Sequence, residues 1–294
     1  MKSVLKKVYQ IIPFKKQLFI GLKKIWRPSE RIFKHLYFNG VIKIKVSDGV
    51  DFKMNHYGYQ LENEIFWVGL TEGWEKESIK LWIKLCEGSE VIFDIGANTG
   101  LYALVAKAIS PQAQVYAFEP MSNIFSRLQE NARLNNFEIM AYDKAVSDSD
   151  GTAAIYPTNT DHVYSVTVNK NLSKPEERVF ETRIETIRLD TLIKMKGISK
   201  IDLMKIDVET HEPEVLKGFS EYLLKFRPTL LIEILTDEIG VQINDMVKDL
   251  GYLYFNIDEK GKVWKVDKLT KSAYYNFLFC SPEVAQKIGL LSAV

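Results

Sequence analysis

The hydrophobic and polar positions of the chain follow one grammar up to about residue 90 and another beyond it. In the first 36 residues, Leu18, Phe19, Leu22, Ile25 and Trp26 recur at helical spacing, with Lys15, Lys16, Lys23 and Lys24 around them. The pattern predicts two short amphipathic helices, with Pro13 in the first turn of the second. Residues 41–54, "VIKIKVSDGVDFKM", alternate on either side of Asp48-Gly49, a dipeptide suited to a tight hairpin turn. A helix is predicted from about Thr71 to Cys86, with Trp74, Ile79, Trp82 and Ile83 turned inward.

From "VIFDI" onward, apolar runs of strand length alternate with helix-length segments. "QVYAFE", "EIMAYDKAV", "IDLMKIDV" and "TLLIEIL" read as strands, and "LYALVAKAI", "NIFSRLQENARLNN" and "EPEVLKGFSEYLLKF" as helices. Such alternation predicts an α/β fold, a mostly parallel sheet with helices on both faces. The closing runs "YLYFNID", "KVWKVD" and "YNFLFCS" predict an antiparallel C-terminal edge. A hairpin is expected around Asp150-Gly151, and residues 157–180 read as polar and irregular. The chain thus divides into a basic helical arm (1–36), a hairpin and helix lead-in (37–88) and an α/β domain (89–294).

Charge changes this picture at one end. The net charge of +1 hides eight lysines and two arginines against a single acid, Glu30, between Met1 and Lys34. A basic arm on an acidic body suggests an anionic partner, and an anionic membrane surface met through residues 1–36 is the expectation. The two cysteines, Cys86 and Cys280, are far apart and have no CxxC spacing, so a disulfide framework is not expected. No apolar run is long enough for a transmembrane helix or a secretory signal, and a cytoplasmic protein, peripheral on the inner face of a membrane, is expected.

The chemistry begins at "VIFDIGANTG". A buried strand ends at Asp94, and Gly96 allows a sharp turn and close approach to a ligand. Glu119 ends the next strand, 23 residues after Gly96. An acid about 20 residues beyond such a turn is placed to accept hydrogen bonds from ribose hydroxyls. Both features suit an adenosine-containing cofactor. A dinucleotide fold would use G-x-G-x-x-G, but here the middle glycine is Asn98, and Asp94 would repel a pyrophosphate. The same acid suits a ligand carrying an ammonium and a sulfonium.

"FDIGANTG", "YAFEP", "KIDVE" and "EVLKG", in this order, resemble the FkbM-type methyltransferases, and "LENEIFWVGLTEGWE" (61–75) resembles that family's lead-in. The resemblance covers about residues 40–280. It implies a Rossmann-like class I methyltransferase sheet, S-adenosylmethionine as cofactor, and O-methylation of a sugar, glycan, glycolipid or related secondary metabolite. It implies that Asp94, Gly96, Asn98 and Gly100 hold the amino-acid end of the cofactor and that Glu119 takes the ribose, with Pro120 and Asn123 shaping that wall. Asp143, Ser147 and Asp148 would lie near the adenine.

The same architecture places the acceptor over the end of "LMKIDVETHEPEVLKG". Strand alternation puts Lys205, Asp207 and Glu209 on one side. A buried Lys205 needs a partner, and Asp207 and Glu233 are the candidates. Thr210 reads as a helix N-cap, and Glu212 and Glu214 as acids favoured by the helix dipole. Asp207, Glu209 and His211 are the candidate bases. The family carries glycine where this chain has Thr210, so His211 is not carried over from it. No metal cluster is evident: His35, His56 and His162 are isolated, and a carboxylate-only magnesium site at Asp207 and Glu209 is left open. Without an Asn-Pro-Pro-aromatic motif, a nucleobase amine is not the expected acceptor, and no nucleic-acid partner is expected. A homo-oligomer is left open. The rival readings are an NAD-dependent oxidoreductase and a non-catalytic membrane or nucleic-acid binder that uses the basic arm.

Overall fold

The computed structural model describes residues 13–157, 166–167 and 182–291. The first predicted N-terminal helix, most of the stretch predicted as irregular, and His162 lie outside the described residues. The second arm helix is α1 (Lys15–Lys23), followed by the single turn α2 (Glu30–Phe33). Of the predicted apolar face, Phe19 is buried against Phe38 and Trp67, and Leu22 packs beside it. Leu18, Ile25 and Trp26 remain exposed. The hairpin forms as predicted, β1 (Gly40–Ser47) and β2 (Val50–His56) meeting at Asp48-Gly49, where Gly49 takes the positive φ that the turn needs.

The outer edge of β2 is closed by side chains rather than by a strand. Asn131 and Asn135 lie one turn apart on α6 (Ser122–Leu134) and at its C-cap. Their amide oxygens accept from the backbone N–H groups of Asn55 and Lys53, at 2.9 and 2.6 Å, and Asn135 returns a bond to Lys53 O. Asn131 also donates to Thr99 O at 2.9 Å, which ties the hairpin to the glycine turn.

The predicted helix over 71–86 is shorter than its periodicity implies. α3 (Gln60–Trp67) precedes it, and α4 (Lys76–Cys86) starts only after Glu75, whose left-handed backbone breaks the run. Ile79 and Trp82 are fully buried as expected, whereas Trp74 falls outside the helix and is partly exposed.

The main sheet contains β3 (Val91–Ile95), β4 (Gln114–Phe118), β5 (Ile139–Tyr142), β10 (Leu203–Ile206), β11 (Thr229–Glu233), β12 (Leu253–Asp258), β13 (Lys262–Val266) and β14 (Asn276–Cys280). Its order is β13-β12-β14-β11-β10-β3-β4-β5. The five strands from β11 to β5 are parallel, and β14, β12 and β13 form the expected antiparallel edge. The chain runs outward from β3 to β5 and then returns to β10 on the other side of β3. The carboxyl ends of β3 and β10 therefore flank a topological switch point, where open α/β sheets bind ligands. One apolar core joins Ile92, Leu203 and Leu231 to α5 (Leu101–Ile109), α4 and the N-terminal hairpin. A second joins Phe93, Met204 and Ile232 to α7 (Leu189–Lys196), α8 (Glu212–Lys217), α9 (Ser220–Phe226) and α10 (Asp237–Val247). A final short helix, α11 (Pro282–Lys287), follows β14.

Three local expectations are corrected. "EIMAYDKAV" divides at Asp143: β5 joins the main sheet, and β6 (Lys144–Val146) joins a smaller one with β7 (Gly151–Pro157), β8 (Val166–Thr167) and β9 (Thr182–Ile187). No hairpin pairs β6 with β7 across Asp150-Gly151, because β9 lies between them, parallel to β6 and antiparallel to β7. The predicted helix "EPEVLKGFSEYLLKF" breaks at Gly218, where a Cβ would stand 2.0 Å from the Ser147 carbonyl oxygen. The Gly218 carbonyl itself accepts from Asp190 N at 2.9 Å. This contact sets the smaller sheet against the α8–α9 corner. We predict that Gly218→Ala, which forces the two backbones apart, lowers stability by roughly 1–3 kcal/mol. A shifted denaturation midpoint with an unchanged slope is the measurement.

Candidate active site

Three strands each carry an ionisable residue at or next to their carboxyl end, on one face of the sheet. Lys205 is in register with Asp94 on one side and with Leu231 on the other, and Glu233 lies two residues beyond Leu231, so alternation turns all three toward α4 and α5. Lys205 is 5% exposed. Its Nζ lies 2.7 Å from Asp207 Oδ2 and 4.6 Å from the centre of the Tyr102 ring. Tyr102 donates its hydroxyl to Glu75 Oε2 at 2.6 Å. Burial works against the Lys205 ammonium, but Asp207, Glu75 and Asp94 together hold its pKa above the ordinary value. Burial also pushes up the acids: Asp94 to about 6, Glu75 to about 7 and Glu233 to about 10, with Asp207 adding to each. The expected Lys205–Asp207 pair is present, while Glu233 Oε2 has no hydrogen-bond partner among the described residues.

The glycine turn keeps its own N–H groups occupied. Gly96 and Ala97 donate to Phe118 O, at 3.1 and 2.9 Å, and Gly100 donates to Ala97 O. Asn98 N donates to Glu119 Oε2 at 3.0 Å, and Thr99 N to Asn98 Oδ1 at 2.8 Å. A dinucleotide turn leaves such groups free for a pyrophosphate, so the NAD reading fails on geometry as well as on sequence. Gly96 is required for a different reason: a Cβ there would lie 1.9 Å from Asp207 O, so only glycine lets the turn press against the end of β10. Glu119, buried beneath the turn, also accepts from Met121 N at 2.9 Å, and burial raises its pKa to about 7. Asp94 Oδ2 accepts from Ala103 N at 2.9 Å, and its Oδ1 has no partner among the described residues.

These groups share a cavity of about 440 Å³. Asp94, Gly96, Asn98, Glu119 and Pro120 line it, as do Asp207, Glu209 and His211. Gly100, Asn123, Asp143, Ser147 and Asp148 do not. Gly100 packs against Leu128, and Asn123, Asp143 and Asp148 point to solvent. Their neighbours Ile124, Lys144 and Val146 take the wall positions instead. Ser147 Oγ meets His211 Nε2 at 3.0 Å, and His211 Nδ1 lies 3.6 Å from Glu214. Both ring nitrogens of His211 therefore face protein groups. Burial, opposed by Glu214 and Asp148, lowers its pKa.

Beyond Ile206 the chain leaves the strand, and Glu209 and Thr210 adopt positive φ, 52° and 79°. His211, not Thr210, is the residue before α8, and it makes no side-chain capping bond. Glu212 is not a solvated dipole partner: it is fully buried, and its Oε1 accepts from Val208 N and Thr210 N at 3.2 and 3.3 Å. Glu75 and Tyr102 belong to the site without a sequence signal of their own. Glu75 ends the quoted lead-in stretch, but no periodicity marks it, because a left-handed backbone and the Tyr102 contact place it.

A sequence model of the methyltransferase FkbM domain matches residues 94–254, more than half of the chain. The chain belongs to the FkbM methyltransferase family. Over 179 residues it is 29% identical to the hexuronic acid methyltransferase AglP of Haloferax volcanii, covering 60% of this chain and 68% of that protein. It is 31% identical over 151 residues to the 2-O-methyltransferase NoeI of Sinorhizobium fredii, covering 47% of this chain and 60% of the other. A crystal structure titled methyltransferase FkbM, from Methylobacillus flagellatus, aligns with a TM-score of 0.41 at 17% identity, over 65% of this chain and 44% of that one.

As an FkbM methyltransferase, the enzyme uses S-adenosylmethionine, and the cavity suits a cationic ligand. Its wall carries seven carboxylic acids against two lysines, and two acid oxygens, on Asp94 and Glu233, are buried without a partner among the described residues. Glu212 sits beneath this wall. Burial raises its pKa to about 8, partly opposed by the Val208 and Thr210 N–H groups. An acid raised in the folded state contributes stability that is full below its unfolded pKa and is lost as pH rises through the folded one. We predict that Glu212→Gln removes this loss, and so gains roughly 1–3 kcal/mol on the wild type between pH 6 and 9. Its Oε1 can still accept both bonds. Thermal denaturation of both proteins across that window is the test, and parallel curves would contradict it.

Proposed function

We propose that this enzyme O-methylates a hydroxyl of a sugar, glycan or related metabolite. In this reading Asp94, Gly96, Asn98, Glu119 and Pro120 hold the cofactor, and the Lys205–Asp207–Glu75 cluster faces the acceptor. The observation that carries it is the juxtaposition of a carboxylate-walled ligand cavity with a buried acid, Glu75, whose pKa of about 7 matches that of a general base at neutral pH. Trp74 and Gln60 also line the cavity and give it an aromatic face and an amide, a pairing suited to a polyhydroxyl ring. The names of the relatives agree with this: AglP is named for a hexuronic acid, NoeI for a 2-O position, and a Streptomyces tacrolimicus relative for the 31-O of demethyl-FK506. The apolar wall of Phe118, Ile124 and Val146 suits the flat face of an adenine in place of the exposed Asp143 and Asp148.

When bound, S-adenosylmethionine supplies an activated methyl group. What is left to the chain is alignment of the acceptor and removal of its proton. Lys205 fixes Asp207 from below, and Tyr102 fixes Glu75, so side-chain contacts hold both acids just outside the ends of β10 and α4. Asp207 and Glu75 are placed to take the hydroxyl proton. Glu209 lines the same wall, and His211, hydrogen-bonded to Ser147 with Glu214 nearby, acts as a positioning residue. We also read the basic N-terminal residues as the part that holds the enzyme at an anionic membrane surface; among the described residues no helix is long and apolar enough to cross one.

Two sets of variants test this. Glu119→Ala should weaken S-adenosylmethionine binding, measured by calorimetry, by about 1–3 kcal/mol. Unchanged affinity in a folded variant would remove Glu119 from the cofactor site. With a glycan acceptor identified by mass shift, Asp207→Asn and Glu75→Gln should each lower turnover by about 10²–10⁴-fold with cofactor affinity retained. His211→Gln should keep turnover within about tenfold. If Asp207→Asn, Glu75→Gln and Glu209→Gln all turn over like the wild type, no base comes from this cluster.

A further inference from the structure

A second concavity, of about 640 Å³, lies between α1, the free edge of β1 and α3. Its floor is apolar: Ile20, Ile42, Ile44, Ile65, Phe66 and Leu70. Its rim holds Lys16, Lys23 and Lys24 from α1 and its C-cap, and Lys43, Lys45 and Lys53 from the hairpin. No acid lines it. Lys23 turns inward, donating to Phe66 O and lying 5.1 Å from the centre of that ring. Lys43 and Lys45 pair with Asp51 and Asp48 at 2.9 and 2.6 Å, in solvent, where such pairs contribute little. Lys16, Lys24 and Lys53 have no carboxylate partner among the described residues. Elsewhere on α1 and its flanks, Phe14, Leu18, Ile25 and Trp26 stand exposed, Ile25 at 85%, and none of them lines the groove.

An apolar trough under a row of ammonium groups is complementary to one kind of molecule, an amphiphile with an aliphatic chain and an anionic head. We propose that this groove binds an anionic membrane phospholipid, its acyl chain on the isoleucine floor and its phosphate among Lys16, Lys24 and Lys53. The exposed apolar residues of α1 and its flanks would then enter the interfacial layer, as such residues do on amphipathic helices at membranes. The groove also has a relation to the active site. α3 presents Gln60, Leu61 and Glu64 to the catalytic cavity, and Ile65 and Phe66 to the groove. The two are thus separated by about one helix diameter, roughly 10 Å, and a lipid in the groove would bring the mouth of the cavity to the membrane surface. This gives the membrane reading above a physical seat. It does not depend on the methyl-transfer assignment, since none of these lysines lines the catalytic cavity.

The test uses the full chain. The wild type should co-sediment with vesicles of phosphatidylcholine plus phosphatidylglycerol, not with phosphatidylcholine alone, and high salt should weaken the binding. Each cation removed near such a surface weakens partition about fivefold, so the neutralising variant Lys16→Gln/Lys24→Gln/Lys53→Gln should lose on the order of 100-fold. Calorimetry on that variant should show unchanged S-adenosylmethionine affinity, which separates this result from a failure of the site assignment. Dihexanoyl phosphatidic acid below its micelle concentration should bind the wild type, and glycerol phosphate or inorganic phosphate should not compete. Equal binding of the headgroup alone would overturn the lipid proposal, as would equal binding to neutral vesicles. So would a triple variant that binds normally while Lys2→Glu/Lys6→Glu/Lys7→Glu does not, since the arm alone would then be responsible. A wild type that ignores vesicles but forms a dimer dissolved by the triple substitution would make the groove an interface between copies.

Discussion

The site is organised around one buried cation. Lys205 lies at the end of a central strand with almost no access to water, which is tolerable only because Asp207, Glu75, Asp94 and the Tyr102 ring surround it. These partners come from β10, the start of α4, β3 and α5, so the ion cluster cannot form until the N-terminal lead-in has docked on the sheet. The lead-in therefore helps to build the candidate active site, and the continuous core from Phe19 through Trp82 to Ile92 is what holds it there. The cluster holds more acids than cations. Some must keep their protons when the cavity is empty, which is the physical content of the raised pKa values of Asp94, Glu75 and Glu233. A positively charged ligand relieves this imbalance, and a neutral product does not. In the proposed reading, the wall that favours binding of a sulfonium also favours release once its charge has gone.

Backbone constraints keep this arrangement rigid. Asn98, Glu75, Glu209 and Thr210 all have positive φ and all lie on or beside the cavity, and for Thr210, with its branched side chain, this is the most costly. Glycine would take the Thr210 conformation freely, which is a physical reason for the family's glycine there. The buried Glu212 carboxyl holds that turn by accepting from Val208 N and Thr210 N. Strain in the loop is thus offset by a buried acid below it, and the backbone of Gly96 closes over the same loop.

What the sequence shows and what it hides divide along physical lines. The boundaries of β3, α5 and β4, the glycine turn and Glu119 were legible because local rules act there: strand burial, the need for positive φ, and spacing along one βαβ unit. The Lys205–Asp207 contact was legible for the same reason, since alternation puts the two on one side of one strand. Glu75 was not, because its place depends on a tertiary contact with Tyr102 and not on any period. Glu212 read as a dipole partner, since an acid at a helix start usually is one; only the packing of α8 shows it buried. Asp143, Ser147 and Asp148 were displaced by one register step, because the chain changes sheets at Asp143 and neighbouring side chains take the wall. The expected hairpin at Asp150-Gly151 failed for a non-local reason, β9 entering between two strands adjacent in sequence.

The N-terminal residues show how composition and structure inform each other. Composition alone shows only a basic arm, and the apolar stripe beside it would suit either a core or an interface. The structure divides that stripe. Phe19 enters the core and anchors α1, while Leu18, Ile25 and Trp26 stay outside. Anchoring fixes the lysines of α1 opposite those of the hairpin, so a charge that could have been diffuse becomes the rim of a shaped groove. An eight-residue helix faces the groove on one side and the candidate catalytic cavity on the other, and so relates the two by a fixed distance. Under the groove proposal, such a helix would turn where the protein sits into what its cavity can reach.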